Sequence, residues 1–482
     1  MLFNSYEFLF LFLPITWIVY FFLHAFERHT VATFWLFCSS LIFYTYWNPL
    51  YLPLLLGSIG VNYAFGFFLS RNQVPTVRSA FLALGVALNL GLLGYFKYTN
   101  FFLSTIHNIT GTSFDLWHIV LPLGISFFTF QQIAYLVDVY RREAGHGDFR
   151  YYGLFVTFFP HLIAGPIVHH KEMMPQFSDT TLWKPNYQNI ALGLFMLIAG
   201  LFKKVLFADS LSVWASAGFD SLHTLTLLEA WVTSLAYSFQ LYFDFSAYSD
   251  MAIGIGLLFN IRLPLNFNSP YKAASIREFW QRWHMTLTRF LREYLYIPLG
   301  GNRHGALMTA RNTLIVFGLG GLWHGAGWTF IVWGLLNGFG LIISSLFERT
   351  GIAIGKIPSQ VLTLLFINAA WVFFRAPSIG RAMDILGSMV GLHGVSLPVF
   401  LSVTAVPGVT FEKLFAWGPS ESILWAALLI GASFVVCLFF DNVEELSKRF
   451  RPTYRWFLGM AIMFLFVLYY MDDVSAFIYF NF

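Results

Sequence analysis

Stretches of about twenty apolar residues recur along the whole of this chain, and they limit its fold more than any motif does. Each is long enough to cross ~30 Å of hydrocarbon as a helix rising about 1.5 Å per residue. Residues 6–26, 79–98, 422–440 and 456–470 are examples, and residues 190–201 continue past a lysine pair. Residues 312–347 run for 36 positions without Asp, Glu, Lys or Arg. Inside a bilayer every backbone N–H and C=O must be satisfied by the protein itself, and at this span length the solution is the helix, not the barrel strand. Composition agrees: 57% of the 482 residues are hydrophobic and 11% are charged, against about 25% charged in an ordinary soluble domain. The sequence therefore predicts an all-α polytopic membrane protein. We expect a single membrane domain over 1–482, with about ten to twelve transmembrane or re-entrant helices.

The first apolar run lacks a basic n-region and a small-residue cleavage site, so it reads as a retained span. Cys38 and Cys437 both sit inside apolar runs, which supports neither a disulfide framework nor a cysteine metal site. A net charge of +4 gives no basis for nucleic-acid binding. The informative charge is local. Between Arg262 and Arg311 there are eight Lys or Arg residues against two acidic ones, Glu278 and Glu293. By the positive-inside rule, segment 263–311 faces the cytoplasm. Within it Ile276, Trp280, Trp283, Leu287, Leu291 and Tyr294 recur every three or four positions, while Arg277, Glu278, Gln281 and Arg292 lie off that stripe. This pattern predicts a cytoplasmic amphipathic helix over 275–296, lying on the membrane surface with its tryptophans at the apolar edge.

Elsewhere, Pro160 and Pro166 interrupt the apolar run 155–170, which predicts a bent or re-entrant piece. Lys203 and Lys204 are placed to snorkel or to mark a cytoplasmic edge. Residues 399–415 look irregular and are expected to cap the opposite surface.

Chemistry points first to His324, the one acidic or basic side chain in 312–347. If helix runs from Asn312, His324 lies about 18 Å along it, near the bilayer middle. Burial there disfavours the imidazolium, and a neutral ring can take a proton from a hydroxyl, as acyl transfer requires. Gly318, Gly320, Gly321, Gly325 and Gly327 surround it, leaving room for a ligand or for a closely packed helix. The plainer alternative is an interhelical hydrogen bond without chemistry. His284 reads either as an interfacial histidine in a tryptophan belt or as part of a cytoplasmic mouth with Arg282 and Arg289. Those arginines suit phosphate or lipid headgroups equally. Tyr237, Gln240, Asp244 and Tyr248 fall on one helical face inside an apolar span, either lining a cavity or forming a packing network. Asp244 would there orient a histidine or a tyrosine hydroxyl. His161, His169 and His170 have no carboxylate or cysteine at ligand spacing, so no metal site is predicted.

At these residues the chain resembles the membrane-bound O-acyltransferase (MBOAT) family, in its bacterial alginate O-acetyltransferase branch. The matching strings are FFPHLIAGPI from Phe158, YFDFSAYSDMAIG from Tyr242, the long run NFNSPYKAASIREFWQRWH from Asn266 onward, GGLWHGAGWTFIVWG from Gly320 and WVFFRA from Trp371. Asn337, where the branch often has histidine, and Thr286-Leu287-Thr288-Arg289-Phe290 depart from its usual wording. The resemblance implies tilted helices around a central chamber with a cytoplasmic funnel for acyl-coenzyme A. It makes His324 and His284 the catalytic pair, with His324 the base or proton relay and His284 shaping or polarising the site. Asp244, Tyr237, Gln240, Trp323, Arg282 and Arg289 are the expected substrate contacts. It also implies acetyl-CoA as a donor substrate with no permanently bound cofactor, a bacterial inner-membrane location, a periplasmic or extracellular acetyltransferase partner, and a polysaccharide acceptor. A transporter, or a non-catalytic scaffold of a polysaccharide-secretion complex, is the competing reading. The transporter predicts paired broken helices, and no internal repeat is visible.

Overall fold

The computed structural model describes residues 1–112, 116–143, 145–398, 409–412, 414–415, 423–471 and 475–481. These are predominantly helical; the two strands among the described residues, Val395–Pro398 and Val409–Glu412, pair in parallel. Most of the segment expected to cap one surface, 399–415, lies outside the described residues. Six described helices are long and apolar enough to span a membrane: Glu7–Ala25, Pro49–Arg71, Pro75–Thr110, Tyr187–Phe219, Trp328–Arg349 and Lys356–Arg375. A seventh arises if Ile423–Phe439 and Val443–Arg449, bent by 53°, count as one broken span. Large apolar side chains such as Phe10, Ile18, Phe22, Ile343 and Leu365 point outward on these helices. A water-soluble protein would hide such surface; lipid tails match it. The chain is a multi-pass helical membrane protein.

The backbone packs into two compact units. The first comprises Met1–Gly200, Tyr248–Leu265 and Phe450–Asn481. Here the run with Pro160 and Pro166 is bent as expected. Helix Phe149–Thr157 stops at Phe158, a short turn Phe159–Leu162 follows with Pro160 in its first positions, and the next helix starts at His170. Proline lacks the donor that would continue the first helix and fits the opening turn of the second. The three histidines of this stretch are buried. His161 Nδ1 lies 3.1 Å from the Gln131 amide, and His170 Nδ1 lies 3.6 Å from Asp138 Oδ2. Among the described residues no three His, Cys, Asp or Glu side chains are placed to share a metal ion.

The second unit, Leu201–Ala247 with Asn266–Arg449, carries the motifs singled out above. Five helices matter for them: α1 (Ile276–Arg282), α2 (Met285–Leu291), α3 (Gly305–His324), α4 (Trp328–Arg349) and α5 (Lys356–Arg375). α3 and α4 form an antiparallel hairpin held together by small residues. A Cβ at Gly321 would run into the Phe330 carbonyl, and one at Gly334 into the Phe317 carbonyl, so the two backbones touch directly. The glycines around His324 thus serve helix packing as well as space.

Candidate active site

His324 does not sit mid-helix. α3 begins at Gly305 and His324 is its last residue; Gly325 and Gly327 carry extended backbone, and α4 starts at Trp328. The long uncharged stretch is therefore a hairpin, and the histidine stands at its turn. The ring is 3% exposed. Trp323, Trp333 and Phe374 surround it at centroid distances of 4.9, 5.1 and 5.3 Å. Trp333 in turn stacks on Trp371.

The expected single helix over 275–296 is broken at its centre. α1 ends at Arg282, Trp283 is extended, and His284 takes left-handed backbone angles (φ 44°, ψ 51°) before α2 begins. A non-glycine residue in that region costs roughly 1–2 kcal/mol, and the surroundings must hold it there. Two backbone hydrogen bonds do so: Asn268 N–H donates to the Arg282 carbonyl and Met285 N–H to the Asn266 carbonyl. This kink corrects the interfacial reading of His284. Instead of lying at a membrane surface, the ring is fully buried, and Trp280 and Trp283 are buried with it. Its centroid is 6.2 Å from that of His324, 4.8 Å from Phe245 and 6.3 Å from Trp323. Burial pushes its pKa down to about 3, so the ring is neutral at physiological pH.

His324 opens onto a cavity of about 460 Å³ lined mainly by apolar groups, including Trp280, Leu287, Leu291, Val316, Phe317, Gly320 and Trp333. A second space of about 550 Å³, more polar, is walled by Asn302, Thr309, Ser345 and Arg349. The two share Arg277, Tyr296, Thr313 and Leu341, so they form one trough. Along α3 its wall is Ala306, Thr309, Thr313, Val316, Gly320 and His324, one face of the helix. From Gly305 to His324 that face is about 28 Å long. His324 occupies its inner, apolar end.

Several other expected contacts fall elsewhere. Arg282 turns to Glu278 Oε1 and the Asn268 carbonyl, and neither it nor Arg289 lines the trough. Arg277 and Arg292 do, because the helical repeat within each half sets Arg277 beside Trp280 and Gln281, and Arg292 beside Thr288 and Leu291. The alternation on each half-helix carried that signal; nearness to His284 in sequence did not. Tyr237 and Asp244 are buried and Gln240 half-buried, and none of them, nor Trp323, belongs to the trough wall. The ion partner of Asp244 is a lysine. It pairs with Lys204, Nζ to Oδ1 2.6 Å, and the same ammonium lies 2.8 Å from Asp209 Oδ1. Lys204 therefore does not snorkel; a π-type turn over Lys204–Asp209 directs it inward, where it is 2% exposed. Lys203 likewise reaches inward to Ser246 Oγ at 3.0 Å. Asn266, which opens one of the family-like strings but is not among the residues expected at the site, stands at the centre of the His284 contacts.

A multi-pass helical protein with a buried histidine at the apolar end of an arginine-flanked trough, and a second buried histidine one ring away, has the layout of an intramembrane group-transfer enzyme. The sequence signature of MBOAT, the membrane-bound O-acyltransferase family, matches residues 139–374. A peptidoglycan O-acetyltransferase of Helicobacter pylori is 45% identical over 100% of this chain and 98% of its own length. A probable alginate O-acetylase of Pseudomonas aeruginosa is 42% identical over 81% of this chain and 75% of its own. A teichoic acid D-alanyltransferase of Bacillus subtilis is 24% identical over 50% of this chain and 64% of its own. The chain belongs to the membrane-bound O-acyltransferase family.

Proposed function

We propose that this protein is an O-acetyltransferase of the bacterial cytoplasmic membrane, supplying acetyl groups from cytoplasmic acetyl-CoA for O-acetylation of an extracytoplasmic glycan. The observation that carries this is the trough itself. A donor with an anionic nucleotide end, a long arm and a thioester tip matches a space with Arg349 at one end, Arg277 and Arg292 along it and His324 at the other end. The basic balance of 263–311 supports a cytoplasmic position for the arginine end. Peptidoglycan is the favoured glycan, because the relative named for it aligns over the full chain. Alginate-like polymers and cellulose are the other acceptors in reach of the same membrane half. A separate periplasmic or extracellular transferase completes delivery.

In the transfer, an acceptor hydroxyl attacks the thioester carbonyl; the new C–O bond forms as the C–S bond breaks. His324 takes the hydroxyl proton and returns it to the departing thiolate. Trp323, Trp333 and Phe374 exclude water from the ring, which protects the thioester from hydrolysis. His284 sits one ring away, at a spacing suited to a hydroxyl held between the two.

The test is His324→Ala in membranes given labelled acetyl-CoA and the glycan. Loss of label transfer by about 10²-fold or more is expected, as for removal of a general base. A folded variant that acetylates at the wild-type rate would refute the assignment. A transporter would instead show uptake that survives the change.

A further inference from the structure

The contacts of His284 decide which of its nitrogens carries the proton. Its Nδ1 lies 3.0 Å from Asn266 Oδ1. An asparagine side chain presents either oxygen or NH₂ at such a position, and the two differ in which one accepts. Here the same atom is approached by the backbone N–H of Thr286 at 3.4 Å and by the Thr286 hydroxyl at 2.9 Å. A backbone N–H only donates, so the atom facing it is the carbonyl oxygen. Three groups then converge on one acceptor, and His284 Nδ1 must be a donor. In a neutral imidazole the other nitrogen, Nε2, then holds the lone pair.

This arrangement is built, not incidental. Asn266 and His284 are both completely buried and Thr286 nearly so. Asn266 holds the kink with its backbone as well, accepting the Met285 N–H at 3.0 Å. The left-handed conformation of His284 is what allows its ring, the Thr286 amide and the Thr286 hydroxyl to reach the same oxygen.

We infer that Asn266 is a positioning residue that locks His284 in the Nδ1–H tautomer, so that His284 enters acyl transfer as a hydrogen-bond acceptor through Nε2. The inference rests on the proposed acyl transfer for its second half only. A ring in this state has no N–H left to polarise a thioester carbonyl, so it fits the shaping role that the family resemblance implies for His284 and not the polarising one. What Nε2 suits is an O–H: the acceptor hydroxyl, oriented for attack while His324 removes its proton. The pair is thus asymmetric, with one histidine fixed by a side-chain amide and the other set at the end of a helix.

The direct test is nitrogen NMR of the full-length protein in detergent with ¹⁵N-labelled histidine, the His284 signals being assigned by their loss in His284→Gln. Protonated Nδ1 and unprotonated Nε2 are expected in the wild type. A protonated Nε2 overturns the inference, whatever the enzyme's activity. Asn266→Leu, checked for folding by size exclusion and near-UV dichroism, should give mixed tautomers and lower kcat with little change in KM for the acyl donor. Asn266→Asp, which keeps an acceptor oxygen, should retain the Nδ1–H and recover much of kcat. A folded Asn266→Leu with an unaltered tautomer, or with KM alone affected, also overturns it. If the wild type shows the expected tautomer but transfers no acyl group, the positioning stands and the proposed function fails.

Discussion

Asp244→Asn separates packing from chemistry most sharply. Lys204 lies 2.6 Å from Asp244 and 2.8 Å from Asp209; Lys204 and Asp244 are each 2% exposed and Asp209 is 25% exposed. Removing one member of a buried ion pair costs about 3–5 kcal/mol, because the remaining charge stays desolvated. Here Asp209 still faces the ammonium and asparagine still offers an acceptor oxygen, so the expected loss falls to ~2 kcal/mol. Lys204→Met leaves two carboxylates facing each other across an apolar side chain, and is expected to cost about 3–5 kcal/mol. The double variant Lys204→Met with Asp244→Leu removes both deeply buried charges. It should recover part of that loss, with a coupling energy above ~1 kcal/mol in the cycle. Denaturant titration of the detergent-solubilised protein by tryptophan fluorescence measures each stability, and acyl transfer is read on the folded fraction. If Asp244→Asn leaves the unfolding midpoint unchanged yet lowers kcat by about 10²-fold, Asp244 touches the reacting groups and the structural assignment is wrong.

Gly321→Leu should separate α3 from α4, since even a Cβ meets the Phe330 carbonyl; a loss of about 1–3 kcal/mol and of activity is expected, seen as a lower thermal midpoint. A variant of wild-type midpoint would refute the direct backbone contact. Acidification supplies the other check. His284 has a folded pKa of about 3, against about 6.5 when unfolded. The unfolded chain therefore binds the extra proton first, and stability is lost as pH falls below about 6.5, down toward 3. Between pH 7 and pH 5 this ring alone accounts for roughly 2 kcal/mol. Thermal midpoints at the two pH values should differ less in His284→Gln than in the wild type; an equal difference would count against burial of a neutral ring.

The membrane class, the bend at Pro160, the burial of His324 and the family were all legible in the sequence. Each rests on local pattern: hydrophobic run length, a missing backbone donor, one ionisable group in an uncharged stretch, and contiguous strings. What sequence reasoning placed wrongly lies in partnerships between distant positions. Periodicity shows that Asp244 looks inward, but not that Lys204, 40 residues away, meets it. It shows that His284 is near an apolar stripe, but a stripe read as one helix conceals a kink.

For this protein the sequence alone therefore determined the solvent it lives in and singled out His324 as its candidate catalytic group, because apolar length and charge scarcity act residue by residue. Tertiary structure alone decided the rest. It ended α3 at His324, buried His284 beside it through the left-handed turn, and gave that ring Asn266 as the acceptor for its proton. These are choices among hydrogen-bond partners that many sequences permit and only close packing selects, since a buried polar group must be satisfied by whatever the fold brings within reach.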